Sequence, residues 1–411
     1  MGKFNAMVVN HVAHLCGYFS VKNQDSVCVL SEFWENITFT EEAKAQERQY
    51  YYPEFVHLNT DEVTMYKHVY DRDMQVVLRD GRNHTLHLDS LNLYYYPFGI
   101  VMFSIDINQK GVELSDALQA VASMRNITAP DFANIPEYEQ LVLAPLKEAC
   151  QAAGNPGDAS SLMECGNKLK IFQSVVCNDQ TVKEEDLYHI LFGAGTLAVY
   201  DENDPMSFSR DYYDSIMDSS KLSVFKNWKA LALLDTFSIA AESVREYMPM
   251  VWSEDYFRKI FLYALYTKFF LFRVNLDFRE GKRKIKDIQK DLDTFEARYA
   301  FPKISYNFLP VEFCKAMFVG LDIEEERTKI TEKVTEEKDR REAEAGDKMN
   351  LFLGIMTCLT LFSAIWDFSC LMDGLFVFGD TIGTVTGFRA CTMAILSIIC
   401  LSALIIRKSN K

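Results

Sequence analysis

Residues 351–372 read LFLGIMTCLTLFSAIWDFSCLM, an apolar run of 22 residues in which Asp367 is the only charged residue. A helix needs about 20 mostly apolar residues to span a bilayer, so this run is long enough. A second run, Ala390–Ile406, has 17 residues and no charge, and it reaches spanning length when Thr384–Phe388 extend it. The two runs predict a helical hairpin through a membrane, with a large soluble domain before it.

The charges that flank the two runs predict the orientation of the hairpin. Lys and Arg in short flanks stay on the cytoplasmic side of a membrane. The tail holds Arg407, Lys408 and Lys411, whereas the connecting loop holds Asp373 and Asp380. The first residues lack the apolar core and the cleavage site of a signal peptide. We therefore expect a multi-pass protein with both termini in the cytoplasm.

The composition excludes several classes of function. A net charge of −15 argues against direct binding of nucleic acid, because gripping phosphates requires a basic face. The ten cysteines show no zinc spacing, and the motifs GxxxxGK, HExxH and GxSxG are absent. His84 and His87 point to opposite faces of a predicted strand, and His11 and His14 would share a face only on a helix. We predict no enzyme activity and no covalent cofactor, and we assign no metal ligands.

Residues 1–250 predict a cytosolic α/β domain that senses a ligand. Asp80-Gly81 lies between Met74–Arg79 and His84–Leu93, which is the pattern of a tight β-hairpin. The loop at Gly154–Ser161 divides the domain into two α/β halves. Other predicted strands are Phe55–Asn59, Ile100–Ile107, Leu169–Val176 and Thr196–Tyr200, and predicted helices are Glu113–Arg125, Tyr138–Ala149, Val182–Phe192 and Phe208–Met217. The apolar run Lys229–Ile239 fits a strand or a helix, and we predict a strand.

Long helices follow this domain. We predict a helical connector at 251–309 and a stalk helix at 310–349, rich in Glu–Lys and Glu–Arg pairs four residues apart. One helix would run from Val311 to Leu371, and the alternative is a solvated helix that breaks at Gly346. The remaining segments are a first span at 350–372, an outer loop at 373–388, a second span at 389–407 and a basic tail at 408–411.

The first span carries its polar residues on one side. At 100° per residue, the polar side chains fall within an arc of about 140°. Such a stripe lines a pore when several copies surround one axis. In the alternative, the hydroxyls bond to their own helix and Asp367 lies among the outer headgroups. The predicted pore-lining residues are Asn350, Leu353, Thr357, Thr360, Ala364 and Asp367.

This layout resembles the CorA-like superfamily of two-span cation transporters and channels. The resemblance covers nearly the whole chain, but the Gly-Met-Asn signature that ends the first span in the magnesium transporters is absent, and residues 366–368 read Trp-Asp-Phe. The missing signature, Tyr96–Ile105 and Asn227–Leu233 are similar to a divergent branch that accompanies type III CRISPR systems.

The resemblance implies a fold and a function. It implies a funnel-shaped homo-oligomer, a pentamer, in the cytoplasmic (inner) membrane of a prokaryote. In the divergent branch, the soluble domain senses a conjugate of S-adenosylmethionine and AMP, and the membrane part acts on the membrane of the infected cell. The alternative is a divalent cation transporter, in which the cation would be the permeant or regulatory ion.

A nucleotide would need an aromatic stacking surface and a cation. Tyr94, Tyr95, Tyr96 and Phe98 adjoin a predicted strand, and Arg125 ends the next predicted helix. Trp228 and Lys229 stand together before an apolar run. These seven residues are the predicted ligand site. The alternatives are that the aromatic residues belong to the core, and that the basic stretch Arg279–Lys290 binds the phosphate or, by its position, lipid headgroups.

Overall fold

The computed structural model describes residues 6–22, 30–127, 135–162, 168–177, 183–198, 201, 203–242, 245, 248–281 and 283–376. The chain divides into two compact units, Met1–Glu332 and Lys333–Lys411. The first unit is an α/β domain that includes the helices between 258 and 320. The predicted second span and basic tail, and the predicted outer loop beyond residue 376, lie outside the described residues.

The regular elements of the described residues are as follows. The strands are β1 (Met7–Ser20), β2 (Glu35–Ile37), β3 (Thr64–Val77), β4 (Asn83–Tyr96), β5 (Ile100–Gln109), β6 (Val112–Glu113), β7 (Lys170–Cys177), β8 (Lys221–Leu222), β9 (Trp228–Leu233) and β10 (Thr236–Glu242). The helices are α1 (Glu41–Glu47), α2 (Pro53–His57), α3 (Leu114–Met124), α4 (Ala144–Ala152), α5 (Glu184–Thr196), α6 (Arg210–Ser219), α7 (Met248–Met250), α8 (Arg258–Glu280), α9 (Ile285–Arg298), α10 (Phe308–Gly320) and α11 (Ile323–Phe376).

The described strands form one sheet in the order β2-β3-β4-β5-β1-β7-β10-β9-β8, and β6 pairs with β1. The pairs are antiparallel except for β7 and β10, which are parallel. Strand β1 lies between β5 and β7 and therefore joins the two predicted α/β halves into a single sheet. The two halves on either side of the predicted loop Gly154–Ser161 are therefore parts of one sheet.

Successive side chains of β1 point to opposite faces of the sheet, and both faces are covered by other elements. Ala13 and Leu15 belong to the apolar core that also contains residues of α3 and α4. On the other face, the ring of Tyr18 stacks on Phe269 of α8 with centroids 4.1 Å apart. The aromatic helix α8 therefore covers the opposite side of the sheet, and its burial explains why this stretch is apolar without spanning a membrane.

Several predicted elements are confirmed. The hairpin is formed by β3 and β4, and Gly81 between them has a φ of 85°, which a residue with a side chain rarely adopts. The strands predicted at Ile100–Ile107 and Leu169–Val176 correspond to β5 and β7. The four predicted helices of this domain correspond to α3, α4 with the π-helical turn before it, α5 and α6.

Two predicted strands are wrong. Phe55–Asn59 lies in α2 and the π-helical turn after it, because Pro53 begins a helix whose Phe55 is buried. In the predicted strand Thr196–Tyr200, Thr196 ends α5 and Leu197 adopts a left-handed conformation, and residues 199 and 200 lie outside the described residues. Gly193 and Gly195 lie inside this helix. Gly195 allows close packing there, since a Cβ on it would lie 2.6 Å from Cδ2 of Leu231.

The apolar run Lys229–Ile239 is two strands and not one. Strands β9 and β10 pair antiparallel and turn at Leu234 and Asp235. Asp235 accepts hydrogen bonds from Arg125 and Lys170. The turn is therefore stabilised by side chains that are distant in the sequence, and a local sequence pattern does not predict such contacts.

The predicted single helix Val311–Leu371 is also wrong, because α10 ends at Gly320 and α11 begins at Ile323. Asp322 adopts a left-handed φ of 54°, and Lys268 donates to the carbonyl of Leu321. Gly320 lies so close to β9 that a Cβ on it would be 2.5 Å from the Cβ of Ala232. No break occurs at Gly346, where α11 is continuous.

Candidate functional site

The apolar part of α11 exposes its side chains. The exposed large apolar residues between Met349 and Phe368 each have 40% to 61% of their surface accessible to solvent. Exposed apolar surface of this extent marks a contact with lipid or with another chain. By length and composition, α11 is the one helix among the described residues that could cross a membrane.

The polar stripe lies on this exposed segment. Thr357 donates its hydroxyl to the carbonyl of Leu353 at 2.8 Å. Thr360 donates to the carbonyls of Met356 at 3.1 Å and Thr357 at 2.9 Å. Asn350, Ala364 and Asp367 are exposed. The threonine hydroxyls therefore bond to their own helix, but a hydroxyl that donates a hydrogen bond keeps its acceptor lone pairs.

Four of the five aromatic residues of the predicted ligand site, Tyr94, Tyr95, Tyr96 and Phe98, are part of the packing of the α/β unit. Tyr94 is buried, and its hydroxyl accepts a hydrogen bond from Nη2 of Arg258 at 2.6 Å. Tyr96 stacks on Tyr266 with ring centroids 4.5 Å apart. Tyr95 is half-buried and meets the ring of Tyr66 edge-on at 5.6 Å.

Phe98 occupies a tight turn that α8 holds. Its φ is 62°, an unusual value for a residue with a side chain, and its carbonyl accepts a hydrogen bond from Arg273. Its ring packs on Phe270 at 4.9 Å. The motif at residues 96–99 therefore fixes the end of β4 to α8.

The remaining predicted ligand residues are also engaged within the chain. Arg125 pairs with Asp235. Trp228 is 6% exposed and lies among the rings of Phe225, Trp252, Phe257 and Phe313. Lys229 is 2% exposed and donates to Glu184 at 3.0 Å and to the carbonyl of Phe225. The structure does not bring the seven residues together into one open cleft.

A buried charged cluster links α8 to the sheet. The carboxylate of Asp106 lies 2.8 Å from Nδ1 of His14 and 3.1 Å from Nη2 of Arg258. Ser104 and Asn92 also donate to it at 2.8 Å. Burial opposes its charged form, but the charge of Arg258 and then that of His14 outweigh burial and hold the pKa of Asp106 well below its usual range.

Sequence reasoning missed this cluster because its members are far apart in the chain. The available signal was Asp106 itself, an acidic residue within the apolar strand β5. A buried carboxylate requires a charged partner, so its presence predicts a basic residue on the element that covers the strand. Arg258 at the first position of α8 meets that requirement.

The described residues contain no group of three or more His, Cys, Asp or Glu side chains placed to hold a metal ion. His87 of β4 lies near Asp71, Asp73 and Asp89, with which it forms ion pairs when protonated. Comparison with known proteins found no matching family model, no matching curated protein and no matching solved structure.

Proposed function

We propose that the chain is a CorA-like membrane effector of antiviral defence, which forms an oligomeric pore or membrane-perturbing channel that a nucleotide second messenger opens. The observation that carries this proposal is the exposed apolar segment of α11, on a helix that begins in the α/β unit. Such a helix connects a soluble sensor with a bilayer through one continuous element.

The pore requires several copies of the chain. One or two spanning helices cannot enclose a channel, so we propose a cyclic homo-oligomer, a pentamer by resemblance, with the second span on the lipid side. In the oligomer, the hydroxyl oxygens of Thr357 and Thr360 would coordinate a passing cation through their free lone pairs, and the Asp367 side chains would form a ring of negative charge at one end of the pore. This charge favours cations over anions.

The messenger in this proposal is the conjugate of S-adenosylmethionine and AMP, by resemblance to the type III CRISPR branch. The α/β unit, Met1–Glu332, is much larger than a domain that only anchors a helix would need to be, and this size supports a sensor role. The absence of the Gly-Met-Asn signature supports a pore of relaxed selectivity over dedicated magnesium uptake.

Ion flux through proteoliposomes tests the proposal. We expect reconstituted chain to release trapped potassium when the conjugate is added, and Asp367→Asn to change the ratio of cation to anion permeability. Asp339→Asn on the charged part of α11 is the matched control and should leave this ratio unchanged. No conjugate-dependent flux would refute gating by this messenger, and magnesium-selective flux without it would favour the transporter.

A further inference from the structure

A cavity lies where α8, α9, α10 and the first turns of α11 meet. Its volume is 430 Å³, which falls in the range of pockets that hold small molecules. The segment Ala300–Ile304 closes one side of it. None of the seven residues predicted from the sequence to bind a ligand lines it.

The walls of the cavity are suited to a planar ring. Tyr263, Phe295, Phe301 and Phe318 line it. The ring of Tyr263 lies 5.5 Å from that of Phe301 and 5.7 Å from that of Phe318. Aromatic side chains of this kind stack on nucleobases regardless of base identity.

The charged side chains of the cavity favour an anion. Its lining holds three bases, Lys303, Lys315 and Arg327, and one acid, Glu324. Arg327 forms an ion pair with Glu296 of α9, which holds its side chain in place at the wall of the cavity. Lys303 is exposed and has no ion pair within the described residues. The side chain of Lys315 is 67% exposed and pairs with Glu312 at 2.8 Å, an exposed ion pair of low stability that a phosphate can replace. These two lysines are available to a phosphate at the mouth, in a chain whose net charge is −15.

The cavity also adjoins the joint at which α11 begins. Glu324 and Arg327 belong to the first turns of α11, whereas Lys315 and Phe318 belong to α10. The joint between these helices is held to α8 by the hydrogen bond from Lys268 to the carbonyl of Leu321. A ligand that separates α10 from α8 would therefore act on the first turn of the helix that carries the polar stripe.

We propose that this cavity binds a nucleotide, with the base against the aromatic wall and a phosphate at Lys303 and Lys315. This inference rests on the proposed function in that it gives the messenger its site and places that site at the origin of α11. An AMP group supplies both an aromatic base for the aromatic wall and a phosphate for the two lysines.

Calorimetry on the full chain in detergent tests the inference with AMP, adenosine and inorganic phosphate as probes. We expect saturable binding of AMP, and binding of adenosine and phosphate that is weaker by about tenfold or more, because each retains only one of the two features. Lys303→Glu/Lys315→Glu should weaken AMP binding by about tenfold or more, as two attractive charges become repulsive.

The matched control is Lys110→Glu/Lys226→Glu, which makes the same charge change at exposed lysines outside the cavity and should alter AMP binding by less than about twofold. Absence of AMP binding by the wild type, or equal effects of the two double variants, would overturn the inference. The four substituted lysines are exposed or partly exposed, so both variants should fold, which thermal melting verifies. Because calorimetry needs no bilayer, its result is independent of the flux measurement that tests the pore.

Discussion

Arg258→Met should destabilise the α/β unit strongly, because it leaves the carboxylate of Asp106 buried without its principal cation. The two side chains are 10% and 8% exposed, so water cannot replace the lost partner. Removal of one partner of a buried ion pair costs about 3–5 kcal/mol. His14 remains 2.8 Å from Asp106, so we expect a loss near the lower limit, about 3 kcal/mol.

The loss should depend on pH and on the partner. The lowered pKa of Asp106 contributes stability above its unfolded pKa of about 3.9, and this stability disappears as pH falls through the lower folded value. Without Arg258, burial favours uptake of a proton by the Asp106–His14 pair, so the deficit of the variant should shrink from pH 7 to pH 5. Arg258→Met/Asp106→Asn should lose less than the sum of the single variants, by about 1–3 kcal/mol.

Urea unfolding of the full chain, followed by tryptophan fluorescence, measures these differences, since Trp34, Trp228 and Trp252 are buried in the α/β unit. Arg72→Met is the control, because it breaks an ion pair in which both side chains are more than 40% exposed, and should cost at most about 1 kcal/mol. An equal loss in the two arginine variants, or additivity in the double variant, would refute the assigned role of the buried cluster.

Two further predictions concern the joint before α11 and the turn of the sheet. Gly320→Ala should cost about 1–3 kcal/mol in thermal unfolding, because the new Cβ would lie 2.5 Å from the Cβ of Ala232. Gly346→Ala places its Cβ in open space and should stabilise α11 by up to about 1 kcal/mol. Equal effects of the two substitutions would contradict the close packing at Gly320. Lys170→Met should destabilise the chain at pH 7 and progressively less below about pH 4. Burial alone would raise the pKa of Asp235, but the hydrogen bond and charge of Lys170 lower it overall, so the stability it contributes is lost on acidification; a deficit that stays constant with pH in urea titrations would refute this.

Local signals predicted much of the fold. Asp80-Gly81 fixed a hairpin because the turn needs a positive φ, which Gly81 supplies. The unbroken apolar run Ile100–Ile107 predicted β5, and the run at 351–372 predicted the exposed apolar part of α11. In each case, the information lies within a few neighbouring residues.

Long-range pairing explains what the sequence did not reveal. Strand β1 carries His11 and His14, which suggest no buried strand, yet Nε2 of His11 lies 2.8 Å from the amide oxygen of Gln173, 162 residues away. Asp322 ends the continuity of α10 and α11 without a proline, because Lys268 and the close approach of Gly320 hold the joint. The cavity likewise assembles residues from 263 to 327 that share no motif.

The most direct test of the account is the accessibility of single cysteines along α11 in the reconstituted protein. Cys358, Cys370, Cys391 and Cys400 of the two predicted spans are first replaced by Ser, and the labelling of this parent is subtracted as background. Cysteines are then introduced one at a time and exposed to a charged, water-soluble thiol reagent. The account predicts modification on the stripe and protection on the opposite face. The stripe positions are Thr357, Thr360, Ala364 and Asp367, and the opposite positions are Leu351, Ile355 and Phe362. Modification at all seven positions would contradict insertion into a membrane, and protection at all seven would contradict a water-filled pore.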